Sequence, residues 1–356
     1  MGTMPRVTGF PERPTLADVA AHAGVSTVTV SRVVEGSDKV ARKTRERVQA
    51  AMDELGYFGN AAATQLVSGR SRAVGVVASN TVEFGYSRVI AGTEQSARLK
   101  DLAVLIVVAE GEDEEAVRKT VATLASQALA GVVAIDFDPL GRAVAEALPA
   151  YLPAVAATAP HPGYNPRLPS VSIDEYEGTV AAAKHLIEAG HRSIFILDSP
   201  SVEAQGRRSK GVLDTLDAAH LPHYPTFRCA DWSPASGYAA ARELLAAYGD
   251  AITAIVCAND EIALGAMRAI REAGLTVPGD ISLVGYDDNP LAAFAQPPLT
   301  TIRQDFIELG RQAFDLLTDL LEGVAAPDGL NSPQLIKPSL VIRESTAPPN
   351  PARGLR

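Results

Sequence analysis

Four polar side chains fall at or just after runs that read as buried strands: Asn80, Asp136, Asn259 and Asp287. Asn80 follows Val74–Ala78, and Asp136 lies near the end of Val132–Phe137. Asn259 follows Ile252–Ala258, and Asp287 follows Ile281–Tyr286. Open α/β sheets bind ligands at the carboxyl ends of their strands. Two amides and two carboxylates placed there offer many directional hydrogen bonds, which suits a small polar molecule rich in hydroxyls. Asp287 lies in Tyr-Asp-Asp-Asn-Pro and reads also as a turn residue. Asn80, Phe84 and Asp136 serve equally well as ordinary loop or core residues. A second constellation lies near the N-terminus. Thr27, Val28, Ser31 and Arg32 open a short helical run after a tight turn. Exposed in a DNA major groove, Val28 offers methyl surface to a thymine methyl and Arg32 suits guanine acceptors. Off DNA, the same residues are plain surface positions.

Catalytic signatures are missing. The chain has no G-x-x-x-x-G-K-[ST], no G-x-G-x-x-G after a strand, no H-E-x-x-H and no G-x-S-x-G. Its six histidines do not cluster. His191 reads as a local cap at a turn and His22 as an exposed helix residue. The two cysteines, Cys229 and Cys257, form no C-x-x-C pair, and Cys257 reads as an inert buried thiol. We therefore expect no catalytic residues, no metal and no cofactor. Two unpaired cysteines fit a reducing cytosol, and the N-terminus has no apolar core of a secretory signal. No apolar run approaches a membrane span.

The elements that must position these residues follow from pattern. At 356 residues and 47% hydrophobic, the chain is long enough for two to three domains. Thr15-Leu16-Ala17-Asp18 reads as a capping box, and Leu16, Val19, Ala20 and Ala23 then form one apolar stripe. Gly24 stops that helix, Ser26 caps a second over Thr27–Val34, and a third covers about Arg42–Leu55. Three such helices make a helix-turn-helix head. From Ala73 onward strand runs alternate with helical stretches, which means parallel sheets covered on both faces. Too many strands occur for one sheet, so two similar halves are expected, joined near the Pro-rich stretch Pro160–Pro169. Charge divides in the same place. Residues 1–72 hold ten basic and seven acidic side chains, while the whole chain has a net charge of −10. A basic head on an acidic body is the asymmetry of a protein that touches a polyanion at one end.

The head resembles the DNA-binding domain of the lactose-repressor (LacI/GalR) family of bacterial transcription regulators. The resemblance runs through Thr15-Leu16-Ala17-Asp18-Val19-Ala20, Ala23-Gly24-Val25-Ser26 and Thr29-Val30-Ser31-Arg32-Val33-Val34, then Leu55-Gly56-Tyr57. The body is similar to that family's effector domain in Ala258-Asn259-Asp260, in Val284 to Asp288, in Pro297 to Ile302 and in Val341 to Thr346. The resemblance implies that Ser26 and Thr29 meet phosphate. It also implies that Asn60–Val67 is a hinge helix, with Ala63 on it and Leu66 as a wedge for the minor groove. As linker, Leu66 would instead pack on the body. It further implies that Arg208 is the effector arginine and that Trp232 flanks a sugar ring, although the single tryptophan fits a core position equally well. Two positions depart from the family: Ala41 stands where Ser usually caps the third helix, and Gly59 where Pro usually precedes the hinge.

The expected organisation is a disordered tail over 1–14, a helix-turn-helix domain over 15–59, and a hinge helix and linker over 60–72. An effector and dimerisation region of two periplasmic-binding-protein-like subdomains spans 73–345, and a disordered tail spans 346–356. The expected function is a cytoplasmic, homodimeric, sugar-responsive repressor that reads a near-palindromic operator on double-stranded DNA, with no membrane partner. Lacking a C-terminal leucine heptad, it is expected to stop at the dimer. The rival expectation is a solute-binding protein with no transcriptional role.

Overall fold

The Thr15 hydroxyl accepts the Asp18 amide at 3.3 Å, and the Asp18 carboxylate accepts the Thr15 amide at 2.7 Å, so a reciprocal cap starts α1 (Leu16–Ala23). Gly24 ends it at a φ of 61°. Ser26 Oγ accepts the Thr29 amide at 3.3 Å and opens α2 (Thr27–Val34). The third helix, α3 (Arg42–Leu55), starts at Ala41 with no side-chain cap. Val19, Ala20, Ala23, Val30, Val33, Val48, Ala51 and Tyr57 bury one small core among these three helices. Arg45 donates to the Ser37 carbonyl at 2.6 Å and pins the α2–α3 turn.

The computed structural model describes residues 13–34, 36–58, 71–111, 113–158, 168–198, 200, 207–324 and 334–353. The chain divides into two compact units, Met1–Arg72 and Ala73–Arg356. The expected hinge residues Asn60, Ala63 and Leu66 lie outside the described residues.

Among the described residues, the second unit holds two six-stranded sheets. The first is built from β1 (Ala73–Ala78), β2 (Ala103–Val108), β3 (Val132–Asp136), β4 (Ala154–Thr158) and β5 (Ser170–Ile173), with β11 (Gln334–Ile336) as its last strand. Its order is β11-β5-β4-β3-β1-β2, with every pairing parallel. One face carries α4 (Phe84–Leu99) and α11 (Phe306–Leu321), through Val89, Leu309, Phe314 and Leu317. Gly92 and Gly310 let these two helices touch, since a Cβ on either would collide with a carbonyl of the other. The opposite face carries α5 (Glu114–Ser126) and α6 (Pro139–Ala147), through Leu124 and Val144.

The second sheet has β6 (Ile194–Asp198), β7 (Phe227–Arg228), β8 (Ala254–Cys257), β9 (Ser282–Asp287), β10 (Thr300–Arg303) and β12 (Ser339–Val341). Its order is β12-β10-β9-β8-β6-β7, and only β12 runs antiparallel. The helices α7 (Glu175–Glu188) and α8 (Arg207–Ala218) cover one face, and α9 (Pro234–Tyr248) and α10 (Asp260–Glu272) the other.

Two expectations need correction. The halves are not sequential. The strand β5, which follows the Pro-rich stretch, still pairs with β4, so the chain first crosses between subdomains at Asp174. It crosses back between Arg303 and Phe306, and again between Ile336 and Ser339. Residues 346–353, expected as part of a disordered tail, are bound to the body. Ala347 N donates to Ser282 Oγ at 3.0 Å, and Asn350 Nδ2 to Asp280 at 3.2 Å. Arg353 donates to the carbonyls of Gly249 and Ile252. A proline-rich tail carries no periodicity of its own, and here its order comes from distant partners.

Candidate functional site

In the head, Thr27, Val28, Ser31 and Arg32 share one side of α2, while Val30 and Val33 point into the core. Val28 is 57% exposed on this eight-residue helix. Ser26 is exposed beside them and shares a hydroxyl bond of 2.9 Å with Thr29. His22 is exposed but paired: its Nε2 lies 2.7 Å from Glu54 and links α1 to α3.

In the body, the residues expected at strand ends fall into two groups. Arg208, Trp232, Asn259 and Asp287 come together in the second subdomain. Arg208 enters from the first turn of α8. Its Nη2 and Nε donate to Glu175 Oε1 at 2.7 and 3.0 Å, and its Nη1 donates to the Ala258 carbonyl. Asp287 Oδ1 lies 3.6 Å from Nη2. The guanidinium sits 4.3 Å from the Tyr286 ring centre and 5.4 Å from that of Trp232, within reach of both π faces. Burial works against the Arg208 charge, but Glu175 and Asp287 outweigh it and hold the pKa above the usual arginine value. Burial lifts the Asp287 carboxyl to about 6, against the pull of Arg208 and of Gln304, which donates to Oδ1 at 2.7 Å.

Asp287 is a turn residue as well. It has a φ of 103°, and Asp288 has a φ of 53°. Asp288 holds this left-handed turn by accepting Arg303 at 2.7 Å and Arg343 at 2.6 Å. Buried Asp260 braces the same loop, taking the Asn289 amide at 2.6 Å and the Thr301 hydroxyl at 2.5 Å. Asn259 caps α10 through Ile262 N at 2.7 Å and donates to the Trp232 carbonyl at 3.2 Å, so it also fixes the Trp232 loop.

The first subdomain supplies Asn80, Phe84 and Asp136. Asn80 Oδ1 accepts the amides of Val82 and Glu83 at 2.7 and 2.9 Å, and Nδ2 donates to Glu83 at 3.0 Å, so its polar groups serve its own loop. Phe84 meets Phe306 edge-on at 6.0 Å. Asp136 is buried, accepting the Thr158 hydroxyl at 3.3 Å with Arg142 at 3.5 Å. Glu83 immediately precedes α4 on this side. Burial raises its carboxyl pKa, and so do Asp138 in its own subdomain and Glu261 and Asp231 in the other.

Sequence reasoning missed Glu175, Tyr286, Gln304, Asp288 and Asp260. Gln304 follows β10, a four-residue strand beginning with two threonines, which gave no apolar run to read. Glu175 opens α7 directly after a capping aspartate, and nothing local links it to Arg208. His191, expected as a local cap, and Cys257 are both buried. His191 is a buried tie between strands and the C-terminal segment, with Thr253, Ser282 and the Ala347 carbonyl at 3.1, 3.0 and 2.9 Å. Burial pushes the Cys257 thiol well up, as an inert thiol requires.

Residues 15–60 match the pattern of bacterial regulatory proteins of the lacI family, and residues 183–346 match a periplasmic binding protein-like domain. The chain is 37% identical over 337 residues to the lactose operon repressor of Escherichia coli strain K12, covering 94% of this chain and 91% of that one. The chain belongs to the lacI family. A second lacI-family relative, the transcriptional regulator CelR of Thermobifida fusca, is 35% identical over 344 residues, covering 94% and 98%. The solved lac repressor dimer bound to operator and the anti-inducer ONPF superposes with a TM-score of 0.83 at 36% identity, over 94% of this chain and all of that one. The CelR–cellobiose complex gives 0.67 at 32% identity with the same coverage. As a lacI-family member with both domains, the protein is a DNA-binding transcriptional regulator and not an enzyme. The head separates it from a plain solute-binding protein. Among the described residues, no helix is long and apolar enough to cross a membrane.

Proposed function

We propose that this regulator is a cytoplasmic homodimer that represses from a near-palindromic operator and answers to a sugar or a similar polyhydroxylated metabolite. The effector reading is carried by one observation: the half-buried Arg208 guanidinium, 3.6 Å from Asp287, lies within reach of the Tyr286 and Trp232 rings at the strand ends. Charged hydrogen-bonding groups beside an apolar ring face suit a molecule with hydroxyl edges and a flat C–H face. The CelR–cellobiose complex is a related chain with such a ligand. Arg208, Asp287, Asn259 and Trp232 would hold the effector from one side, with Asn80, Phe84 and Asp136 on the facing side. In the head, Thr27, Val28, Ser31 and Arg32 would read bases, while Ser26 and Thr29 meet phosphate. Asn60, Ala63 and Leu66 would form the minor-groove element.

The dimer reading draws on β2, an edge strand whose Leu105, Ile106 and Val108 are exposed. A second copy is the covering such an edge calls for.

Calorimetry against cellobiose, lactose and maltose tests the site. Arg208→Ala and Asp287→Ala should each weaken binding of the sugar that the wild type takes by about 1.5–3 kcal/mol. Operator affinity without sugar should stay near normal. Unchanged sugar affinity in both variants would return Asp287 to a turn role alone.

A further inference from the structure

The two charged residues at the centre of the cleft are each tied to a place where the chain crosses between subdomains. Arg208 gives two N–H bonds to the Glu175 carboxylate, and Glu175 directly follows the crossing at Asp174. The Tyr286 hydroxyl donates to the Glu175 carbonyl at 2.9 Å, so this residue is gripped at side chain and backbone together. Asp287 accepts from Gln304, which lies in the return crossing between β10 and α11 and is 5% exposed. The first crossing is bound to the third as well, because Asp174 N donates to the Ile336 carbonyl at 2.9 Å. Asp174 and Asp305 also cap the helices that follow them, taking the amides of Glu177 and Glu308.

We propose that Glu175 and Gln304 are positioning residues that carry effector occupancy from Arg208 and Asp287 to the subdomain crossings. This rests on the effector reading above and extends it from where the ligand sits to how its presence is felt. A ligand hydroxyl that donates to Asp287 competes with Gln304 for the same oxygen. A ligand oxygen that accepts from Arg208 competes with Glu175 for the same N–H groups. Each competition changes the length or direction of a bond whose other end is a crossing residue. Crossings are where small backbone rotations become relative motion of two packed bodies, and allostery requires such a differential contact. The Arg208 bond to Ala258 and the Asp288 bonds to Arg303 and Arg343 stay within the second subdomain, so they anchor the site without reporting on it.

The test uses the full chain, an operator selected from random duplexes, and cellobiose as probe. Glu175→Gln keeps size and one acceptor while removing charge. Gln304→Met keeps length and removes the donor. In both variants the cellobiose-dependent change in operator affinity should fall at least about fivefold. Operator affinity without sugar should stay within about threefold of wild type, since the head is untouched. A second arm needs no sugar. Amides of Asp174–Tyr176 and Gln304–Phe306 should exchange at least about fivefold faster in the variants, while strand amides of β4 and β9 exchange as in wild type. A full sugar response in both variants, or unchanged exchange at the crossings, overturns the proposal. Uniformly faster exchange throughout the sheets would assign the residues a purely structural role and overturns it too. Failure of wild type to bind cellobiose counts against cellobiose as effector alone, because the exchange arm still decides the coupling.

Discussion

In the proposed effector site, Asp287 is the carboxyl with the largest stake in ionisation. Burial lifts it to about 6 although a guanidinium stands 3.6 Å away and an amide donates to it. In the proposed effector site, a ligand hydroxyl that donates to Asp287 is held more strongly by the ionised carboxylate than by the protonated acid. Sugar affinity should therefore be flat above about pH 6 and fall below it, by up to about tenfold per pH unit. Calorimetry between pH 5 and 8 checks this, and Asp287→Asn should flatten the profile. The same shift acts on stability in the opposite sense. The folded state holds this proton more tightly than the unfolded chain, so the contribution of Asp287 to stability declines as pH rises toward about 6 and is constant above. An acid-side loss of sugar binding without loss of fold would separate the two effects.

At the scale of elements, α3 and the C-terminal segment are the points most open to change. The N-cap of α3 is Ala41, which gives the first turn no side-chain acceptor. Ala41→Ser should stabilise the head by about 1 kcal/mol, read as a higher thermal midpoint with unchanged operator specificity. The segment after Ser345 is held through His191, whose pKa is lowered first by burial and further by His185 and Arg192, against the Ala347 carbonyl that favours its charged form. An unfolded histidine takes its proton more readily than this one, so stability is lost as pH falls through the histidine range. His191→Gln should reduce the drop in thermal midpoint between pH 7.5 and 5.5. An unchanged drop would place the acid sensitivity elsewhere.

At the scale of the molecule, the regulator needs two heads on one operator. An uncovered apolar edge strand is a liability that a partner removes. Ile106 is 44% exposed at the middle of β2. Ile106→Asp should yield a monomer by light scattering while the second sheet stays folded. Operator affinity should then fall by at least about a hundredfold, because binding of the second half-site loses its effective concentration. A stable dimer in that variant would move the interface to another face.

The head was readable from residues alone because its determinants lie close in sequence. The capping box at Thr15, the stop at Gly24, the cap at Ser26 and the stripe of Val19, Ala20 and Ala23 all act within one or two turns. The same holds for Asn259 and Asp287, whose loops follow long apolar strands. The strands β10, β11 and β12 are short and half-exposed or polar, so they carry no apolar run, and the interleaving of the two subdomains went unseen with them. Which strand β5 pairs with is a choice between partners far apart in the chain, and nothing local to Ser170–Ile173 records it. Thr346–Arg353 looks like a loose proline-rich end, yet His185, His191, Ser282 and Asp280 bind it from 65 to 161 residues away. Local patterns in the chain were enough to specify a three-helix head, a parallel α/β body and the family they compose. The pairing of Arg208 with Glu175 and of Asp287 with Gln304 is written in no local pattern, because those bonds form only once three chain crossings bring separate segments to one point.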